Sequence, residues 1–185
     1  MTLGDGFDSV LVSAQAGDED ALAALWRDLN PAVVRYLRVI ARTEAEDLAS
    51  ATWISVAQGL RRFEGDEDGF RRWVFTIARR RWTDWLRSTS RRPRADRYAA
   101  VPELAGSDDP AEEAVRAASL ARALALVHRL PPSQAEAVAL RVLGGFDVAE
   151  VAEIMGKQAG AVRVLVHRGL KRLASELSPV EEVTP

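Results

Sequence analysis

Four arginines, Arg72, Arg79, Arg80 and Arg87, recur with Thr76 and Thr83 between them. Drawn on a helix at about 100° per residue, they fall within a quarter to a third of the circumference and form one cationic stripe. The planar guanidinium fork suits phosphate oxygens and stacking on bases. Trp73, Trp82 and Trp85 are interleaved with these arginines. That mixture fits single-stranded nucleic acid, whose unstacked bases need an aromatic platform and whose backbone needs neutralising. Trp85 reads as a core residue, while Trp73 and Trp82 fit a core or a stacking role equally. Phe70, Val74, Ile77, Ala78 and Trp85 make the opposite, core-directed arc. Arg81 falls inside that arc, where it must snorkel, pair or meet a partner.

A second cationic group lies further along the chain. Asp147 and Glu150 form an N-terminal box, Gly156 stands where a left-handed helix stop is needed, and a new helix begins three to four residues later. This is the layout of a helix-turn-helix. On the second helix Val162, Leu165, Val166, Gly169, Leu170 and Leu173 share one arc. Arg163, Val164, His167, Arg168, Lys171 and Arg172 share the other, which suits the major groove of duplex DNA. Arg163 is the candidate for a bidentate guanine contact, and Arg168, Lys171 and Arg172 for phosphates.

The elements that must position these residues are helical throughout. Apolar residues recur with helical period, Ala and Leu are abundant, and β-branched runs are short. Helices are predicted over 7–16, 18–29 with Asp18 as N-cap, 31–42 with Pro31 in its first turn, 44–60, and from about Gly69 to Ser88. Further helices are predicted over 111–128, 132–143, 147–155 and 159–175. Between Arg91 and Pro110 three prolines, Gly106 and an Asp-Asp pair interrupt any apolar period, so this stretch reads as a linker between two modules. The fold class is all-α, two helical domains joined by a flexible acidic linker.

Net charge conceals the segregation of charge. The chain of 185 residues carries a formal −2. Residues 1–60 hold −5, 61–97 hold +6, 98–121 hold −4, 122–174 hold +4 and 175–185 hold −3. Lys157 and Lys171 are the only lysines, so nearly every cation is arginine. The basic blocks are candidates for a polyanion and the acidic ones for a protein partner or solvent. With no cysteine there is no disulfide framework, thiolate metal site or cysteine nucleophile. His128 and His167 are the only histidines, and neither has a metal-ligand or triad neighbour at a recognisable spacing. The sequence predicts no enzyme, no cofactor and no metal. No apolar run reaches the length of a membrane span, and Asp5 stands where a signal peptide needs positive charge, so a cytoplasmic protein without a membrane partner is expected.

The chain resembles the extracytoplasmic-function sigma factors of bacterial RNA polymerase, within the sigma-70 family. Residues 44–54, Glu-Ala-Glu-Asp-Leu-Ala-Ser-Ala-Thr-Trp-Ile, look like the family's polymerase-binding helix. Residues 70–81 with Asp84-Trp85-Leu86-Arg87 look like its promoter-melting helix. Leu130-Pro131-Pro132 through Leu140-Arg141, Gly145 and the helix-turn-helix to Leu173 resemble its second domain, and the likeness runs roughly from Leu11 to Leu177. Arg80 stands where the family often has Asn, and Ser50 and Ala51 replace a frequent Gln and an acid. Ala161, Val164 and Leu165 replace Thr, Ser and Arg of a common version.

The resemblance implies a protein that binds core RNA polymerase and directs it to promoters. It implies domains over 1–92 (sigma region 2: core binding, minus-ten recognition and melting) and 119–177 (sigma region 4: minus-thirty-five recognition). An acidic linker over 93–118 joins them and a tail follows over 178–185. Glu44, Glu46, Asp47, Ser50 and Trp53 would hold the polymerase β′ clamp. Arg72, Trp73, Thr76, Arg79, Arg80, Thr83 and Arg87, with the loop Phe63 to Gly69, would capture the melted minus-ten strand. Arg163, Val164, His167, Arg168, Lys171 and Arg172 would read the minus-thirty-five duplex. The linker would thread through polymerase channels that otherwise take nucleic acid, the core partner would include the β and β′ subunits, and an anti-sigma protein would cover the polymerase-binding surfaces. A helix-turn-helix regulator that does not engage polymerase explains residues 145–173 equally well, but leaves the 44–54 helix and the arginine–tryptophan block without a role.

Overall fold

A computed structural model describes residues 3–89 and 110–177. Among the described residues eight α-helices run in the order α1 (Phe7–Ala16), α2 (Glu19–Ala41), α3 (Ala45–Gly59), α4 (Glu67–Thr89), α5 (Pro110–Val127), α6 (Pro132–Val142), α7 (Val148–Met155) and α8 (Ala159–Leu177). No strand occurs among the described residues, and the all-α class predicted from the periodicity is what the chain adopts. Of the linker, residues 93–109 lie outside the described residues and 110–118 belong to α5. The tail over 178–185 is likewise outside them.

Local signals set most helix ends. Gly17 stops α1 in the left-handed region, and the Asp18 carboxylate accepts from the amides of Asp20 and Ala21 to start α2. The start of α4 lies earlier than Gly69, because the Asp66 carboxylate accepts from the Gly69 amide at 2.8 Å and its carbonyl accepts from the Phe70 amide at 2.9 Å. The two predicted helices over 18–29 and 31–42 are one continuous helix with Pro31 inside it. Proline in a helix interior costs about 3 kcal/mol or more, through a lost amide and a ring clash. Leu25, Leu29, Val33, Tyr36 and Leu37 are all buried on both sides of that point. Each is worth about 1.5–3 kcal/mol when fully buried, so packing outweighs the local penalty.

Helices α1 to α4 form the first module, with α2 packed against α1, α3 and α4. Helices α6, α7 and α8 form the second, and Gly169 lets α8 approach α6, since a Cβ there would stand 2.7 Å from the Val138 side chain. The two modules are in contact: α6 packs on α2 and α7 on α4. The seam is aromatic. Phe75 of α4 lies 5.4 Å from the Tyr36 ring and 5.0 Å, edge-on, from the Phe146 ring of the second module. Tyr36 and Phe75 are fully buried and Phe146 almost so, which makes the apolar interior continuous across both modules.

Candidate nucleic-acid interface

The α4 stripe forms as the wheel predicts, but its arginines differ in what they touch. Arg80 and Arg87 are largely exposed, and each reaches Asp84 on the same helix, at 4.0 and 3.3 Å. Arg72 contacts Glu150 at 3.0 Å and Glu153 at 3.4 Å, and Arg79 contacts Glu136 at 2.6 Å. These three carboxylates belong to the second module. Thr76 and Thr83 turn their hydroxyls back onto the Arg72 and Arg80 carbonyls, at 2.8 and 2.9 Å. Arg81 leaves the apolar arc by donating to the Ser55 hydroxyl of α3, at 2.9 and 2.5 Å.

The aromatic residues beside the stripe pack with one another. Trp73 is half-buried, with the Phe63 ring at 5.1 Å and the Phe70 ring at 5.9 Å, and it lies against Gly59 of α3. Any Cβ at Gly59 would strike the indole at 2.9 Å. Phe63 opens the loop to Gly69, so Trp73 supports that loop from below. Trp82 and Trp85 stack on each other, 5.1 Å apart and 16° from parallel, and both keep part of their surface in solvent.

The helix-turn-helix is built as read. Asp147 Oδ1 accepts from the Glu150 amide and Glu150 Oε2 from the Asp147 amide, both at 2.8 Å, closing the capping box. Gly156 takes φ 63° and ends α7. Val162 and Gly169 are buried, with Leu165, Val166 and Leu173 half-buried. Leu170, placed by the wheel on the core arc, is exposed instead, because the inward edge of α8 there is already closed by Gly169 against α6. Arg163, Val164, His167, Arg168, Lys171 and Arg172 are all exposed. None of the basic ones has an acidic partner among the described residues. Gln134, Arg168, Lys171, Arg172 and Ser175 line an open groove of about 410 Å³ between α6 and α8.

On α3, Glu46, Asp47 and Ser50 are exposed, with Glu46 paired to Arg38 at 2.8 Å. Glu44 lies in the short turn before α3 and accepts from Thr43. Trp53, expected at the clamp, is 9% exposed and donates its indole N–H to Asn30 at 3.0 Å, so it packs α3 on α2. The apolar side chain that α3 does present is Ile54, 60% exposed. Among the described residues no helix is long and apolar enough to cross a membrane, and no His, Asp and Glu cluster is placed to hold a metal ion.

Sequence models of sigma-70 region 2 and sigma-70 region 4 match residues 25–92 and 120–173. The ECF RNA polymerase sigma factor SigD of Mycobacterium tuberculosis is 34% identical across 96% of this chain and 87% of its own length. The chain belongs to the ECF sigma factors. It is thus an alternative sigma factor, a protein of transcription initiation. The ECF sigma factor BldN of Streptomyces coelicolor is also 34% identical, over 87% of this chain, which spans 62% of BldN's length. Among solved structures, CnrH in complex with the cytosolic domain of CnrY superposes with a TM-score of 0.65 at 22% identity, covering 94% of this chain and 97% of that one. The sigma factor RpoE bound to the anti-sigma factor NepR, from Bartonella quintana, superposes with a TM-score of 0.63 at 23% identity, covering 83% and 94%. These two likenesses show that the ECF fold is shared.

Sequence reasoning missed Phe75 and the three carboxylates facing the stripe. Phe75 sits on the wheel at the edge of the arginines rather than in the core arc. An apolar residue bordering a cationic stripe was the available signal that something covers that edge.

Proposed function

We propose that this sigma factor binds core RNA polymerase and directs it to promoters, reading the minus-thirty-five element as duplex and the minus-ten element as melted single strand. The observation that carries this is the pairing of two unlike cationic surfaces on one chain. The α8 face is a row of exposed cations on a recognition helix, suited to a groove. The α4 stripe has aromatic residues at its side and a loop above it, suited to splayed bases. Opening DNA costs about 1.4 kcal/mol per stacked step. Stacking on aromatics returns about 1–3 kcal/mol per base, so a single-strand pocket can trap what a duplex reader alone cannot open.

In this reading residues 1–92 act as the polymerase- and minus-ten-binding domain, 119–177 as the minus-thirty-five domain, and 93–118 as the acidic linker. Glu44, Glu46, Asp47, Ser50 and Trp53 are the expected contacts of the β′ clamp, with Ile54 exposed beside them as a further contact. Arg72, Trp73, Thr76, Arg79, Arg80, Thr83 and Arg87 meet the melted strand, and Arg163, Val164, His167, Arg168, Lys171 and Arg172 the duplex. The chain works in the cytoplasm, without catalysis of its own. An anti-sigma partner is supported by the neighbour crystallised with NepR, a named anti-sigma factor.

The test is transcription in vitro with core enzyme, this protein and genomic template, followed by sequencing of transcript 5′ ends. A subset of start sites sharing two upstream elements is the expected result. No promoter-specific product with any bacterial core enzyme would overturn the reading.

A further inference from the structure

We infer that the second module is a built-in cover for the minus-ten-facing stripe, with Glu136, Glu150 and Glu153 standing where DNA phosphates would stand. This rests on the proposed function of α4 and adds how access to it is controlled.

Residues 122–174 are a basic block, yet they contain four acids: Glu136, Asp147, Glu150 and Glu153. Asp147 is used as a helix cap. The other three all reach the α4 stripe, two onto Arg72 and one onto Arg79. A basic segment that turns all three of its glutamates onto one facing stripe is complementary to it. Glu150 serves twice, capping α7 through Oε2 while its Oε1 accepts from Arg72. The contact also has an apolar floor. Phe75, bordering the arginines, is fully buried beneath Phe146, and the Glu136 carboxylate is held by both Arg79 and the Tyr36 hydroxyl. His128, at the end of α5, adds a hydrogen bond to the Arg38 carbonyl at 3.0 Å.

Two surfaces stay outside this seam. The cations of α8 are exposed, so duplex can be met without opening. The exposed line Asp47, Ser50 and Ile54 on α3 is also free, so polymerase can be met first. Arg80 remains in solvent, leaving a partial foothold for single strand. The closed chain therefore offers its polymerase and duplex surfaces but withholds the centre of its single-strand surface. Separation of the modules uncovers Arg72, Arg79 and Phe75 together.

The test compares three full-length chains. The first is wild type and the second carries Glu136→Gln, Glu150→Gln and Glu153→Gln. Glutamine keeps the size of each side chain and still completes a capping box at position 150. The third carries Asp8→Asn, Glu19→Gln and Asp20→Asn, which removes the same charge from exposed sites on the far helices. The probe is a fluorescein-labelled mixed-sequence twelve-nucleotide single strand, read by anisotropy, with hydrogen exchange of α4 and α7 followed in parallel. The seam variant is expected to bind at least tenfold more tightly than the other two. In wild type, saturating oligonucleotide is expected to raise exchange in α7. Equal affinity of the seam variant and the charge-matched control would overturn the inference, as would unchanged exchange in α7 on saturation. Transcription with saturating core enzyme separates this from the parent reading. If wild type and seam variant initiate equally at the same start sites, the sigma reading stands whatever the oligonucleotide does. If neither initiates, that reading falls, while the exchange data still report whether the modules are joined.

Discussion

Replacing Phe146 by Ala tests whether the two modules are one cooperative body. All five tryptophans, Trp26, Trp53, Trp73, Trp82 and Trp85, lie in the first module, so tryptophan fluorescence reports that module alone. Phe146 belongs to the second and is 2% exposed. Truncating a buried Phe to Ala costs about 3–5 kcal/mol. The share that depends on the Phe75 ring, at 5.0 Å, is about 0.5–1.5 kcal/mol for an aromatic pair. If both modules melt together, the whole cost enters the fluorescence transition. At about 2–4 °C per kcal/mol for a chain of this size, the midpoint falls by roughly 6–20 °C. The assay is thermal melting followed by tryptophan fluorescence and by far-ultraviolet circular dichroism on the same samples. Wild type should give coincident curves, and Phe146→Ala should lower both. The double variant with Phe75→Ala should recover a coupling of about 0.5–1.5 kcal/mol between the two rings. A fluorescence midpoint that moves by less than about 2 °C, the shift of under 1 kcal/mol, while the dichroism curve splits in two, would refute the reasoning.

Three further outcomes follow from single sites. Burial pushes the Tyr36 phenol well above its ordinary value of 10.0, with the Glu136 carboxylate adding to the rise and Arg79 opposing it. The folded chain thus holds that proton more tightly than the unfolded one, so Tyr36 contributes fully below pH 10 and its contribution is lost as pH rises beyond it. Tyr36→Phe should flatten the alkaline fall in melting temperature, and an identical fall in both proteins would assign it to other groups. Ile54→Glu places a charge on the exposed apolar point of α3 without touching Trp53, and it should abolish co-purification with the polymerase β′ subunit while leaving the melting temperature within about 1–2 °C, a surface change of under 0.5 kcal/mol. Arg163→Ala should blur one upstream position of the promoter set, costing about 1–3 kcal/mol of discrimination there, visible as relaxed base preference in sequenced start sites.

What was legible in the sequence is what local chemistry decides. The Asp147–Glu150 box and the Gly156 stop depend on residues three to nine apart, and the structure has both. The cationic stripe follows from the helical period alone, whichever partner α4 meets. Pro31 was misread because a proline is a boundary signal only when nothing else holds the helix together, and here buried residues on both sides do. The burial of Trp53 is hidden for a related reason. Its position in the motif says that it matters, but only the placement of Asn30, on another helix, shows that its indole turns inward. Phe75 and Glu136 are separated along the chain by residues that include the whole linker. No window of periodicity can bring them to one seam, so the cover over the stripe became visible only once the modules were placed.

The seam also gives the cancelling charges a physical meaning. A chain with two cationic surfaces is at risk of binding any DNA, because phosphate contacts act without regard to sequence. Low net charge weakens this only in part, since attraction at contact distance depends on the local face and not on the total. Pairing the centre of one face with carboxylates of the same chain acts locally, at 2.6 to 3.4 Å, where screening by salt is least effective. Each phosphate contact adds about 0.7 to the salt slope of single-strand binding, so withholding Arg72 and Arg79 lowers that slope by about 1.4 while they are covered. The α8 face keeps its full slope, since its cations are uncovered. Under the inferred cover the free chain would meet duplex weakly and reversibly, and would hold single strand fully only once the modules part. A cover of this kind would keep the free chain from holding stray melted DNA tightly before core enzyme is met, which would give the acids lying within an otherwise basic module a role.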